Sequence, residues 1–281
     1  MRKILVTGAT GQLGSELKVL SENHKQFEWE FADRTKISLD NIELLKKQLN
    51  EINPDIIFNC GAYTAVDKAE SDKETAFTVN HLAVEEIAKY TFENKAKLIH
   101  VSTDYVFDGT SSTALNEEAI TQPINVYGES KLAGEISCIK ENPDSIIIRT
   151  SWVYSKFGNN FVKTMQRLMQ ERDSINVVND QIGSPTYAAD LAQAMISIIE
   201  SSNWVPGIYN YSNEGEISWY DFALSIKEFG QYECNVGGIP SASYPTPAKR
   251  PEFSLLDKKK IKETYNLHIP NYRESLQVMF K

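Results

Sequence analysis

The sequence predicts an α/β fold in which a doubly wound parallel sheet is accompanied by a smaller, interleaved C-terminal lobe. Short apolar strands alternate with helical stretches four times between residues 4 and 102, and the first strand leads directly into a glycine-rich loop. Beyond Arg149 this alternation weakens. We therefore expect residues 1–150 to form the first domain and residues 151–281 to form the lobe, with some of its elements returning to the first domain.

The composition is typical of a globular chain and disfavours several classes of protein. Hydrophobic residues make up 41% of the 281 residues, and no apolar run reaches the ~18 residues that a membrane span needs. A net charge of −9 argues against nucleic acid as a partner. The first strand follows Lys3 without a signal-peptide pattern. The odd, widely spaced set of Cys60, Cys138 and Cys234 is typical of reduced thiols, and we expect a cytoplasmic protein.

The glycine-rich loop lies between the apolar strand and a helix that begins at Gln12. Gly8, Gly11 and Gly14 have the spacing GxxGxxG, whereas the general dinucleotide fingerprint is GxGxxG. The backbone of such a loop can approach a pyrophosphate closely, and the helix N-terminus offers unpaired N–H groups to phosphates. We expect a Rossmann-like nucleotide site at Gly8, Gly11, Gln12 and Leu13. A glycine-rich turn that binds nothing is the alternative.

Two further strand ends add candidate ligand residues. The second strand, residues 27–32, ends at Asp33 and Arg34. An acidic residue at this distance from the glycine loop can bind ribose hydroxyls, whereas an arginine can meet a 2′-phosphate, so NAD and NADP remain open. A plain turn residue is the alternative for Asp33. A third strand, at residues 56–60, ends in small residues that leave space for a ligand, Gly61-Ala62-Tyr63-Thr64.

The fourth strand and the helix after it carry the residues that suit carbonyl reduction. Thr103 ends the strand at residues 97–102, and Tyr127 and Lys131 share one face of a helix because they are four residues apart. Tyrosine has an ordinary pKa of ~10, and a lysine ammonium nearby favours the phenolate and lowers that value. The alternative is that Tyr127 and Lys131 are an ordinary surface pair. The presence of the glycine loop disfavours this alternative.

The C-terminal part has fewer chemical signals. It is predicted to contain helices from Asn160, at 187–199 and at 219–229, and strands at 175–178 and 207–211. Residues 239–254 are rich in Pro, Ser and Thr and predict an ordered loop or lid. Lys249 and Arg250 in this loop could supply the cations that a diphosphate needs, or they could lie on a solvated turn.

Seven motifs, in order and over nearly the whole chain, resemble the dTDP-4-dehydrorhamnose reductase family of extended short-chain dehydrogenases/reductases. The last three are more specific than any nucleotide-loop pattern. The motifs are Thr7–Gly14, Ala62–Glu70, Ser102–Gly109, Asn125–Gly128, Arg149–Tyr154, Asn179–Thr186 and Tyr244–Pro251.

The resemblance assigns roles to residues of this chain. It implies that the cofactor is contacted by Gly11, Gln12, Leu13, Asp33, Ala62, Tyr63, Thr64, Tyr127 and Lys131. We add Gly8 and Arg34 from the loops, and Ser38 and Leu39, which stand where the family often has Asp. The resemblance implies that Thr103, Asp104 and Trp152 contact the sugar nucleotide, and we add Arg250 for its diphosphate.

The family's reaction is the reduction of the C4 keto group of dTDP-4-dehydro-β-L-rhamnose by NADPH or NADH, in the biosynthesis of a precursor of cell-surface polysaccharides. The resemblance implies that Tyr127, Lys131 and Thr103 are catalytic. Some members bind Mg²⁺ through interfacial carboxylates; here Glu16 stands at one such position but Ala189 at another. We therefore expect no Mg²⁺ and a monomer or a homodimer.

Three alternatives stay open. Another 4-keto sugar-nucleotide reductase, such as one that forms 6-deoxy-L-talose, or an epimerase would share the cofactor site. A dehydratase is disfavoured, because related dehydratases follow the threonine with an Asp-Glu pair, whereas here Tyr105 follows Asp104. A non-enzymatic, NADP-binding regulatory subunit is disfavoured because Thr103, Tyr127 and Lys131 are all present.

Overall fold

A computed structural model describes all 281 residues, in eleven α-helices and twelve β-strands. The strands are β1 (Arg2–Thr7), β2 (Phe27–Ala32), β3 (Ile56–Asn59), β4 (Lys97–Thr103), β5 (Ile146–Thr150), β6 (Val153–Tyr154), β7 (Ser174–Val178), β8 (Ile182–Gly183), β9 (Thr186–Tyr187), β10 (Gly207–Asn210), β11 (Ile217–Ser218) and β12 (Asn235–Ile239). The helices are α1 (Gln12–Ser21), α2 (Ile42–Ile52), α3 (Val66–Ala69), α4 (Lys73–Phe77), α5 (Ala83–Glu93), α6 (Val126–Glu141), α7 (Phe161–Glu171), α8 (Ala188–Glu200), α9 (Trp219–Gly230), α10 (Lys259–Tyr265) and α11 (Tyr272–Phe280). No helix combines the length and the apolar character that a membrane crossing requires.

The central sheet has six parallel strands in the order β10-β5-β4-β3-β1-β2, which confirms the predicted fold class. Its strand order reverses between β1 and β3. Ligands of such sheets bind at this point, beyond the carboxyl ends of the strands. The glycine loop after β1 and the small residues after β3 therefore lie side by side.

Both faces of the sheet are covered, as its alternating side chains require. Ile4 and Val6 point into a cluster of 22 buried residues that α1 and α8 complete, and Leu5 points into a cluster of 14 beneath α2, α5 and α6. This two-sided burial follows from the period of two along a strand. A third cluster of 13 buried residues joins α7, α9 and α11 in the C-terminal lobe.

The two halves of the chain are interleaved. Strand β10 adds to the sheet edge beside β5, helix α8 packs on α1, and α10 contacts β10. Three short strand pairs lie outside the central sheet: β6 with β9 and β7 with β12 are parallel, and β8 with β11 is antiparallel. The strand β12 and the last two helices were not predicted from the sequence.

The sequence pattern predicts one long helix over residues 73–92, but the structure interrupts it. The structure has α4, then a π-helical turn at Thr78–Leu82, then α5. The turn directs the buried Asn80 towards the loop after β3, where its amide accepts from Tyr63 N (2.8 Å) and donates to Tyr63 O (3.0 Å). Hydrophobic periodicity did not reveal this interruption, because the apolar face continues through it.

Candidate active site

A cavity of about 960 Å³ runs along the carboxyl ends of the strands, from the glycine loop to Trp152. It gathers most of the residues that the sequence singled out. Those that line it are Gly8, Gly11, Gln12, Leu13, Asp33, Arg34, Leu39, Ala62, Tyr63, Thr64, Thr103, Asp104, Tyr127, Lys131 and Trp152. Ser38 and Arg250 are not among the lining residues.

The glycine loop, which we call the glycine cradle, is packed so closely that a side chain would not fit at Gly8 or Gly14. Gly8 has φ of 65°, and a Cβ there would lie 2.7 Å from the Gly61 backbone. A Cβ at Gly14 would lie 2.5 Å from the Gly8 carbonyl oxygen. No side chain caps α1 at its N-cap residue, Gly11. The start of α1 is therefore open to phosphate groups in the cavity.

The loop after β2 holds the candidates for recognising the adenosine end. Asp33 Oδ1 accepts from Thr35 N (2.9 Å) and Thr35 Oγ1 (2.6 Å), and these hydrogen bonds hold the pKa of Asp33 below its usual value. Arg34 is exposed at the cavity wall. Ser38 is engaged elsewhere, since its hydroxyl donates to Asp40 (2.6 Å). Both a carboxylate and a guanidinium therefore remain available at this end.

Tyr127 and Lys131 lie on the first turns of α6, which the side chain of Asn125 caps by accepting from Gly128 N (2.8 Å). The expectation that Lys131 lowers the pKa of Tyr127 is wrong for the cofactor-free protein, because burial raises that pKa to about 12, although the Thr103 hydroxyl partly opposes this. Burial lowers the pKa of Lys131 to about 8, and its Nζ donates to Val101 O (2.7 Å). At neutral pH the phenol is thus protonated and able to donate.

Asp104 is buried beside Thr103, whose hydroxyl donates to Asp104 Oδ1 (3.1 Å). Its second oxygen, Oδ2, has no hydrogen-bond partner. Burial raises the pKa of Asp104 to about 6. The Ser254 and Thr103 hydroxyls, which lie beside the carboxylate, partly oppose this rise.

Trp152 closes the far end of the cavity. It has a left-handed backbone (φ of 48°), and its ring stacks on Trp219 with centroids 3.7 Å apart and planes at 14°. Gly183 lies against the same indole, since a Cβ there would be 3.0 Å from it. The sequence pattern indicates Trp219 only as the start of a helix. Trp152 lines the cavity, and the stacked ring of Trp219 supports its indole from behind.

Arg250 makes an ion pair outside the cavity lining. Its guanidinium donates to both carboxylate oxygens of Asp67 (3.1 and 2.8 Å), and Ala248 N donates to the same carboxylate (3.2 Å). Asn125 Nδ2 donates to Lys249 O (2.7 Å). These contacts tie the loop at residues 244–251 to α3 and to the start of α6. The contact of Arg250 with a diphosphate stays a prediction.

No group of three or more His, Cys, Asp or Glu side chains is arranged to hold a metal ion. Glu16 accepts a hydrogen bond from Ser155 Oγ (2.6 Å), and burial raises its pKa. The carboxylate that the family comparison singled out is therefore engaged by a hydroxyl.

Comparison with known proteins gives one consistent result. A family model described as RmlD substrate binding domain matches residues 1–281. The dTDP-4-dehydrorhamnose reductases of Aggregatibacter actinomycetemcomitans and Escherichia coli K12 are 38% and 40% identical, over 99% and 98% of this chain and 98% and 96% of their own lengths. The Bacillus anthracis enzyme, solved in complex with NADP, superposes with a TM-score of 0.95 at 38% identity and covers 100% of this chain and 99% of its own. The chain therefore belongs to the dTDP-4-dehydrorhamnose reductase family.

Proposed function

We propose that this chain reduces the C4 keto group of dTDP-4-dehydro-β-L-rhamnose to give dTDP-β-L-rhamnose, with NADPH or NADH as reductant. The product is a precursor of cell-surface polysaccharide. One observation carries the proposal: Thr103, Tyr127 and Lys131 line a single cavity that begins at the glycine cradle and ends at Trp152.

The residues present fit a nicotinamide cofactor, which supplies the hydride when it is bound. The cradle of Gly8, Gly11 and Gly14 suits its diphosphate, and the loop after β2 suits its adenosine end. Lys131 lies further along the same cavity, where it would hold the nicotinamide ribose. The first domain, residues 1–150, would thus bind the cofactor, while the lobe at residues 151–281 supplies Trp152 to the sugar.

Within this arrangement the protein's own groups move one proton and orient one carbonyl. Tyr127 donates its phenolic proton to the carbonyl oxygen, while the Thr103 hydroxyl turns from Asp104 to that oxygen and fixes it by a hydrogen bond. The ammonium of Lys131 stabilises the phenolate that remains. The high pKa of the buried Tyr127 keeps the proton in place until the oxygen develops negative charge.

The reaction is tested by product identity. The protein is incubated with dTDP-4-dehydro-6-deoxyglucose, a 3,5-epimerase, and either NADPH or NADH, and the product is identified by NMR. We expect dTDP-β-L-rhamnose. The C4 epimer, dTDP-6-deoxy-L-talose, would contradict the proposed substrate orientation. Absence of cofactor oxidation would favour a regulatory subunit.

We also propose a cytoplasmic location and a monomeric or homodimeric state. Cys60, Cys138 and Cys234 are free thiols, which accords with a reducing compartment. Light scattering after size-exclusion chromatography would give the mass in solution. A tetramer or larger species would contradict this proposal.

Replacing Trp152 with Ala is expected to weaken use of the sugar nucleotide. A buried aromatic contact with a deoxysugar contributes about 1–3 kcal/mol, so kcat/KM should fall about tenfold to a hundredfold. Binding of NADPH, measured separately by fluorescence titration, should change little. Trp204→Ala serves as a matched control, because that indole donates to Asp144 O (2.9 Å) away from the cavity. Equal losses for cofactor and sugar would make Trp152 a core residue only.

Arg250→Ala tests the diphosphate contact. Loss of a partly exposed charge-assisted hydrogen bond should raise KM for the sugar nucleotide about tenfold. The matched variant is Asp67→Asn, which removes the carboxylate and leaves the guanidinium free. If Arg250 binds the diphosphate, this second variant should keep a KM close to that of the wild type. Similar increases in both variants would indicate that the ion pair only anchors the loop.

A further inference from the structure

Three buried polar residues lie side by side at one level of the central sheet. Thr7, Asn59 and His100 occupy matching positions on β1, β3 and β4, where their neighbours along each strand are mostly apolar. Polar groups in such a position need partners, because an unsatisfied buried donor or acceptor is costly. We call these three residues the polar row.

The polar row is a continuous chain of hydrogen bonds. Gly61 N donates to Thr7 Oγ1 (3.0 Å), and Thr7 Oγ1 lies 2.7 Å from one end of the Asn59 amide. The other end of that amide lies 3.0 Å from His100 Nδ1. At the far end, His100 Nε2 lies 3.4 Å from Lys131 Nζ. One ring nitrogen of His100 thus contacts the row, and the other contacts Lys131.

We propose that His100 is a positioning residue, which fixes the Nζ of Lys131 in the place where the cofactor ribose and Tyr127 require it. This inference rests on the proposed function. A lysine side chain has four rotatable bonds and loses much conformational freedom when it is held. Here Nζ has two acceptors, Val101 O and His100 Nε2. Nε2 accepts from the ammonium in the tautomer that carries the ring proton on Nδ1, and that proton then faces the oxygen end of the Asn59 amide.

The imidazole is itself held in place. His100 is completely buried, and burial together with the nearby Lys131 keeps its pKa well below the usual value, so the ring is neutral. A neutral imidazole beside Lys131 adds no competing charge. The row begins at Gly61, which packs against Gly8. The contacts of the row therefore connect Nζ of Lys131 to the glycine cradle.

Two substitutions of His100 separate positioning from simple core packing. The amide of glutamine reaches the position of Nε2, and the amide of asparagine reaches only that of Nδ1. His100→Asn therefore keeps the contact with Asn59 and loses the one with Lys131, whereas His100→Gln keeps a polar group against Lys131.

We expect His100→Asn to lower kcat about tenfold to a hundredfold, the range for a misplaced catalytic group, and to weaken NADPH binding in the absence of sugar. His100→Gln should restore most of both. Asn142→Ala is the control for stability alone: it removes an amide that donates to Thr91 (2.9 Å) at the far end of α6, so it should lower Tm and leave kcat unchanged.

Losses of kcat and NADPH affinity that are equal in the Gln and Asn variants would overturn the proposal, and His100 would then be a core residue. The NADPH titration needs no sugar. If the wild type bound NADPH without reducing the 4-keto sugar, the proposed function would fail, while a Gln-versus-Asn difference in NADPH affinity would still support positioning.

Discussion

Replacing Tyr127 with Phe is expected to lower kcat by about 10²–10⁴-fold, the usual cost of removing a general acid. The proton must reach the carbonyl oxygen as hydride arrives, and of the two hydroxyl groups proposed to face that oxygen only the phenol of Tyr127 is acidic enough to give its proton up. The Lys131 ammonium is more acidic, but it is held by Val101 O. Thr103 is an alcohol and can only share its proton. The ring of Phe would still pack edge-to-face against Tyr105, whose ring centroid lies 5.5 Å away, so substrate and cofactor should bind almost as before.

The measurement is kcat at saturating NADPH and 4-keto-L-sugar. Tyr90→Phe is a matched control, since it removes a buried hydroxyl that donates to Asn53 (3.4 Å) on the other side of α5. A Tyr127→Phe enzyme with wild-type kcat would contradict the assignment of Tyr127 as the proton donor. Water or Asp104 would then be the candidate donor. In the reverse oxidation, the positively charged nicotinamide and the Lys131 ammonium both favour the phenolate, so the essential base should show an apparent pKa below the value of about 12 that burial gives Tyr127 in the cofactor-free protein.

The second large effect concerns stability. Arg149 and Glu135 form a buried, bidentate ion pair, with distances of 3.0 Å from Nε to Oε1 and 2.7 Å from Nη2 to Oε2. Their side chains are 3% and 2% exposed. Glu135→Leu leaves the guanidinium without its carboxylate in a site that water does not reach. The free energy of unfolding should therefore fall by about 3–5 kcal/mol.

Urea unfolding of the wild type and three variants checks this expectation. The double variant Glu135→Leu/Arg149→Leu removes both charges, so it should be more stable than either single variant. Single variants with the wild-type unfolding midpoint would show that water or another group compensates the charge. Because the pair joins α6 to β5, the weakened variant should also lose activity at a lower temperature.

Local signals were sufficient to predict the fold and much of the cavity. The glycine loop, the apolar strands and the helix with Tyr127 are each encoded within a few residues, and the parallel sheet predicted from them is confirmed. The resemblance drawn from seven motifs is also confirmed, by the family model and by relatives near 40% identity. The catalytic and binding roles of the individual residues stay predictions.

Features that depend on distant residues could not be predicted. Trp152 and Trp219 stack only after β6, β9 and α9 have come together. The ion pair of Arg250 with Asp67 joins residues 183 positions apart. The π-helical turn is stabilised by the hydrogen bonds of Asn80 to the backbone of Tyr63. None of these contacts leaves a periodic pattern in the sequence, because each is stabilised by tertiary partners.

The late return of β10 to the sheet has a consequence during synthesis. More than half of the 22 residues in the largest core cluster come from residues 191–269, and β5 gains its outer neighbour only with residues 207–210. Residues 151–210 separate the end of β5 from the end of β10. At translation rates of about 5–20 residues per second, the ribosome makes this segment in about 3–12 s. Throughout that interval the nascent chain carries an unpaired, apolar strand edge, which is the feature that promotes association between chains. This protein should therefore depend on chaperones while it is being made more than a chain whose sheet closes early.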